Sequence, residues 1–161
     1  AKTLADFKAA LAKDPENKAL QANVAIMDFM GRKQREKSRT IEELDELAKV
    51  EGVDAKVVAA LDGIRKDEIL MGALQAFRRD KGEKLLELIK KGTVPEEGHE
   101  METSFWAMAA DAAINAKDKA LATQAIDKFV KSAKGKPFEA RAKEHADQLR
   151  EKVAGLGGDD K

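Results

Sequence analysis

Between Glu100 and Lys134 apolar side chains recur twice in succession at steps of three and four residues, and this double stripe constrains the fold most. In the first half Phe105, Met108, Ala109, Ala112, Ala113 and Ala116 share one helical face. Trp106 and Ala110 widen that face beyond a coiled-coil seam. In the second half Leu121, Ala122, Ala125, Ile126, Phe129, Val130 and Ala133 do the same. Asp118 suits the start of the second helix, because a carboxylate accepts the unpaired N–H groups of a first turn. Gly135 suits a left-handed residue at its end, and Pro137 bars continuation. The spacing predicts helices over 100–116 and 118–134, joined by a tight turn at Ala116, Lys117 and Asp118. The alanines let the two backbones approach closely.

The same periodicity extends over the rest of the chain. Leu4, Phe7, Ala10 and Leu11 lie on one face of a short helix that Pro15 stops. Asn17 is placed to cap a helix whose apolar positions include Leu20, Val24, Met27 and Met30, ending or bending at Gly31. Thr40 and Glu43 have capping-box spacing ahead of Ile41, Leu44, Leu47 and Ala48, predicting a helix over 41–50 closed by Gly52. After Asp54, Val57, Val58, Leu61 and Ile64 form one stripe, and Leu70, Leu74 and Phe77 form another. The expectation is one long helix kinked near Gly63 or Gly72, since each glycine weakens a helix by about 1 kcal/mol. A turn at Lys81 and Gly82 leads to a short helix with Leu85, Leu86, Leu88 and Ile89, ended by Gly92. Pro95, Glu96 and Glu97 are expected to supply first-turn chemistry to the next helix. The last helix is expected to face Phe138, Ala142, Ala146, Leu149 and Val153 inward.

These segments make an all-α chain of about seven or eight helices. A single helical-repeat domain over 1–154 is expected, with 155–161 a tail too poor in apolar residues to pack. Long alternations of Val, Ile, Thr and aromatic residues, which a sheet needs, do not occur. The formal net charge is zero, which argues against a dedicated nucleic-acid binder. Cysteine is absent, so disulfides and thiolate chemistry are excluded. No apolar run reaches the length needed to cross a membrane, and the N-terminus has no signal-peptide pattern. The chain begins with Ala rather than Met, which leaves open a removed leader or an upstream domain, and its compartment is not legible.

Candidate chemistry is sparse. His99-Glu100-Met101-Glu102 departs from a zinc-protease helix, because position 103 is threonine and His145 lies on another helix. Neither histidine belongs to a recognisable nucleophile motif, and the glycine loops that cradle phosphates are missing. Pairs such as Glu83/Lys84 and Glu87/Lys90 read as solvated surface charges. No catalytic residue, metal site or cofactor is therefore expected, and the chain is read as a non-enzyme. The basic run from Arg32 to Arg39 lacks interleaved aromatics and reads as a solvated turn. Met27, Met30, Met71 and Met108 are expected to fill gaps between helices. Trp106, the only tryptophan, is read first as core and second as a binding anchor.

Helix pairs begin near Asn17, Asp54 and His99, a period of stacked helical hairpins. Phe7, Ala10, Leu11 and Pro15 resemble the end of a tetratricopeptide repeat, with Ala25 and Gly31 near the small positions of the next unit. Trp106, Ala110, Ala122 and Ile126 also match that family's spacing. Pro137 arrives about five residues late, and the segment from Asp54 to Lys91 hardly matches. The resemblance implies antiparallel hairpins stacked into a short right-handed curl, with a compact helical bundle as the alternative. It also implies a protein- or peptide-binding scaffold. The family's polar peptide clamp is lacking, so no ligand residue carries over. On this reading Phe105, Trp106, Asp111 and Asn115 are the expected partner-binding residues, with neither nucleic acid nor membrane as partner. The alternative function is a ligand-binding or enzyme-accessory domain of a larger protein.

Overall fold

The computed structural model describes residues 2–32 and 39–157. Among the described residues there are eight α-helices and no strand: α1 Leu4–Lys13, α2 Lys18–Gly31, α3 Ile41–Ala48, α4 Ala55–Asp80, α5 Glu83–Lys90, α6 Glu102–Asn115, α7 Lys119–Ala133 and α8 Glu139–Gly155. The all-α reading therefore holds. Most of the basic run Arg32–Arg39, at 33–38, lies outside the described residues, as do positions 158–161 of the expected tail. The chain packs as two compact units, 1–67 and 68–161.

In unit 1, side-chain caps set the helix starts. Thr3 with Asp6, and Thr40 with Glu43, form complete capping boxes, and Asn17 Oδ1 accepts from the Leu20 N–H at 3.1 Å. α1 packs on α2 and α2 on α3, and their core is Phe7, Ile26, Phe29, Leu44, Val57 and Leu61. The α2 face is centred on other residues than the four named from the sequence, which pack at its edges. Ala22, Asn23, Ile26 and Phe29 are buried, whereas Leu20, Val24, Met27 and Met30 are half-buried. Almost every position of α2 from Ala22 to Met30 is apolar, so spacing alone could not choose the inward side. The buried Asn23 accepts the Asp54 N–H on its Oδ1 at 3.0 Å, and Asp54 Oδ1 accepts from Lys56 N at 2.9 Å. Asn23 thus helps satisfy the start of α4 from across unit 1. Arg65 of α4 pairs with Asp45 of α3 and with Asp62, the latter at 2.8 Å.

α4 is one helix from Ala55 to Asp80. Its two stripes serve two cores: Val57 and Leu61 belong to the cluster of unit 1, Leu70 and Ala73 to that of unit 2. Met71, expected to fill a gap, is 44% exposed, because it falls beside the stripe of Leu70, Ala73 and Phe77.

In unit 2, α5 packs on α6, α6 on α7, and α8 on both α6 and α7. The turn between α6 and α7 closes as a Schellman motif: Asp118 N donates to Ala113 O at 2.8 Å and Lys117 N to Ile114 O at 3.0 Å. Lys117 occupies the left-handed position at φ 58°, where glycine is usual, and Asp118 caps α7 by accepting from Leu121 N. The α4–α5 turn needs glycine for two reasons. Gly82 has φ +90°, and a Cβ there would overlap Cβ of Ala112 and lie 3.1 Å from the Phe77 ring. Phe138, expected inward, is instead 41% exposed. Although four residues before Ala142, it is the N-cap of α8, with a non-helical backbone at φ −97° and ψ 12°, so the helical spacing that buries Ala142, Ala146, Leu149 and Val153 does not extend to it.

Candidate functional site

The residues of 91–101 form a folded loop rather than the expected first turn of α6. Gly92 is left-handed, and Thr93 N donates to Leu88 O at 2.9 Å, which closes α5. Pro95 is buried and Gly98 is left-handed, so the chain folds back before Glu102 instead of running straight into α6. His99 lies in this loop, and its Nδ1 accepts the Met101 N–H at 3.0 Å. His145 stands on α8 with its ring edge-on to Phe129, centroids 5.6 Å apart. The two histidines are thus tied to different local structures.

Against this loop, α6 and α7 form a cleft of about 160 Å³. Val94, Pro95 and Glu97 come from the loop, Glu102 and Trp106 from α6, and Lys128, Lys131 and Ser132 from α7. Glu102 and Trp106 are one helical turn apart and so lie on one face of α6. Glu102 is only 8% exposed, and its Oε2 accepts the Gly98 N–H at 3.1 Å, which pins the loop to the helix. Ser132 Oγ donates to Phe129 O at 2.7 Å and shares a hydrogen bond of 2.9 Å with Thr103 Oγ1, tying the end of α7 to the beginning of α6. Trp106 is 5% exposed, its indole edge-on to Phe105 at 5.0 Å. Lys128 Nζ sits 4.4 Å from the Trp106 ring centroid, an exposed cation–π contact worth about 0.5–1 kcal/mol. Lys131 and Glu97, both exposed, face each other at 3.7 Å.

The four residues expected to bind a partner do not converge. Phe105 is fully buried, and Trp106 is core as well as cleft floor. Asp111 is half-buried, and Asn115 is exposed with its Nδ2 3.5 Å from Lys81 O. Asn115 is nine residues after Trp106, about 180° around an α-helix, so the two occupy opposite sides of α6. The sequence does not single out Ser132 for the cleft, and it presents Glu102 only within the His99–Glu102 segment that departs from a zinc motif. The available signal was position: Glu102 precedes Trp106 by four, and Ser132 follows Phe129 by three, so both interrupt apolar stripes with polar groups.

Three carboxyl groups elsewhere are held below their ordinary values. The Gly82 N–H donates to Asp80, which starts α5, and the Thr3 N–H donates to Asp6. Lys143 and then the Gly135 N–H do the same for Glu139. All three hold helix starts, Asp6 exposed and Asp80 and Glu139 half-buried, and none lies in the cleft. Among the described residues no three His, Asp or Glu side chains cluster as a metal site, and no helix is long and apolar enough to cross a membrane.

No protein-family model, curated protein or solved structure matches the chain.

Proposed function

We propose that this chain is a non-catalytic scaffold of tetratricopeptide-like helical hairpins that binds a protein or peptide at the cleft beside Trp106. The observation that carries the reading is the make-up of that cleft: an indole floor, a buried carboxylate and a rim with charges of both signs. Tryptophan anchors ringed by polar groups dominate the energetics of protein interfaces. A volume of about 160 Å³ is below the roughly 300–1,000 Å³ of small-molecule pockets and suits one inserted side chain. Packing of α5, α6, α7 and α8 in chain order supports the hairpin-stack architecture. Helix faces fixed in this way lose little freedom on binding.

The test is a peptide library displayed against the intact chain, followed by titration of the selected peptides. Binding should change about tenfold in Lys128→Glu/Lys131→Glu, which reverses the charge of two exposed rim positions, falling for acidic peptides and rising for basic ones. It should be unchanged in Asp111→Ala/Asn115→Ala, whose Asn115 lies opposite the cleft. Loss in the second variant alone would move the binding surface to the other side of α6. A library that yields no saturable binder contradicts the scaffold reading.

A further inference from the structure

Among the described residues, no cation pairs with the carboxylate that the cleft holds. Glu102 is nine-tenths buried, and among the described residues its carboxylate accepts one hydrogen bond, from Gly98, and has no ion pair. A buried carboxylate is stabilised far better by a paired, hydrogen-bonding cation than by one neutral donor. One turn further along α6, Trp106 offers a ring face that already attracts a cation, the Lys128 ammonium at 4.4 Å. Lys128 is an exposed side chain on a flexible stem, so it can swing away. The other rim lysine, Lys131, faces Glu97. An incoming anion would have to lie against Glu102, whereas an incoming cation meets the carboxylate and the indole together.

We propose that the cleft receives an arginine side chain of a partner peptide, its guanidinium stacked on Trp106 in place of Lys128 and paired with Glu102. A planar guanidinium can do both, since it stacks on aromatic faces and forks onto carboxylates. Val94 and Pro95 line the same cleft and suit the methylene stem. This assignment rests on the peptide-binding reading above and names the chemistry of the peptide.

Trp106 is the only tryptophan and the chain has no tyrosine, so its emission reports on the cleft directly. The intact protein is titrated with a terminally blocked alanine peptide bearing one central arginine, and with the same peptide bearing citrulline or glutamate. The expected result is a saturable emission change with arginine and none with citrulline. Affinity should fall about tenfold in Glu102→Gln and rise about threefold in Lys128→Ala, which vacates the ring. Circular dichroism checks that Glu102→Gln folds; if it does not, the citrulline peptide and the surface variant Lys128→Ala decide. Equal responses to arginine and citrulline, or a weaker arginine response in Lys128→Ala, overturn the assignment. Saturable binding of the glutamate peptide alone overturns it while leaving peptide binding at the cleft in place. Silence of all three peptides with both wild type and Lys128→Ala overturns the arginine assignment and the cleft reading together.

Discussion

Unit 1 closes its core with large side chains, Phe7, Ile26, Phe29, Leu44, Val57 and Leu61, whereas more than half of the larger buried cluster of unit 2 is alanine. The difference is one of mechanism. Large side chains hold helices apart and remove apolar area from water residue by residue. Alanines such as Ala109, Ala113, Ala122 and Ala125 bury little each, but they let α6 and α7 come close along their length. Unit 1 should therefore suffer most from truncation, and unit 2 from enlargement. Trp106 is the largest side chain of the unit 2 cluster, and the cleft lies where its ring reaches the edge of that packing.

The largest expected effect tests that side chain. Trp106→Ala should destabilise unit 2 by about 3–5 kcal/mol, read from denaturant melts. An unchanged melt would remove Trp106 from the core. Next comes enlargement at the tightest point of unit 2. Gly82→Ala combines a positive φ with overlap on Ala112, and a loss of about 2–5 kcal/mol is expected from strain and overpacking. Tolerance of this methyl group would contradict close packing between the α4–α5 turn and α6.

Unit 1 supplies the third test, because its distinctive buried group is polar. Asn23→Ala leaves the Asp54 N–H without its acceptor and should cost about 1–3 kcal/mol, lost from unit 1 with protection in unit 2 unchanged. Asn23→Asp tests the same contact with a different sign, since it keeps an acceptor while adding buried charge. The fourth change is stabilising. Lys117→Gly relieves the left-handed residue of the α6–α7 turn and should raise stability by about 0.5–1 kcal/mol, net of the added freedom of the unfolded chain. A loss instead would mean that the lysine side chain contributes more than its backbone strain removes.

The smallest effect is a pH dependence. The Gly82 N–H holds the Asp80 carboxyl below its ordinary value of 3.8, so the folded form favours the carboxylate. That contribution is present above 3.8 and is lost as pH falls through the lowered folded value. The melting-temperature gap between wild type and Asp80→Ala should therefore narrow on acidification below that point. A gap that widens there would reverse the assigned direction.

The sequence revealed the helices of unit 2 more fully than the cleft they build. Periodicity, Asp118 and the alanine stripes located α6, α7 and their turn to within about two residues. The buried face of α2 was hidden because its apolar residues run nearly all the way round. Phe138 continues the apolar spacing of α8 in the sequence, yet it sits one residue before the helix begins. The cleft was illegible for a different reason. It depends on the loop of 91–101 folding back onto Glu102 through Gly98, a tertiary contact with no repeat or motif to announce it. Asp111 and Asn115 share a face of α6, but it is not the face on which Trp106 meets the loop.

Native-state hydrogen exchange on the intact chain tests most directly whether the alanine-packed hairpin is the stable part that carries the cleft. The predicted result is slowest exchange in α6 and α7, around Ala109 to Ala113 and Ala122 to Ile126, with α1 to α3 opening at lower free energy. Gly82→Ala should then erase protection in α6 and α7 while leaving α2 as it was. Slowest exchange in α2, or equal protection throughout both units, would contradict the account.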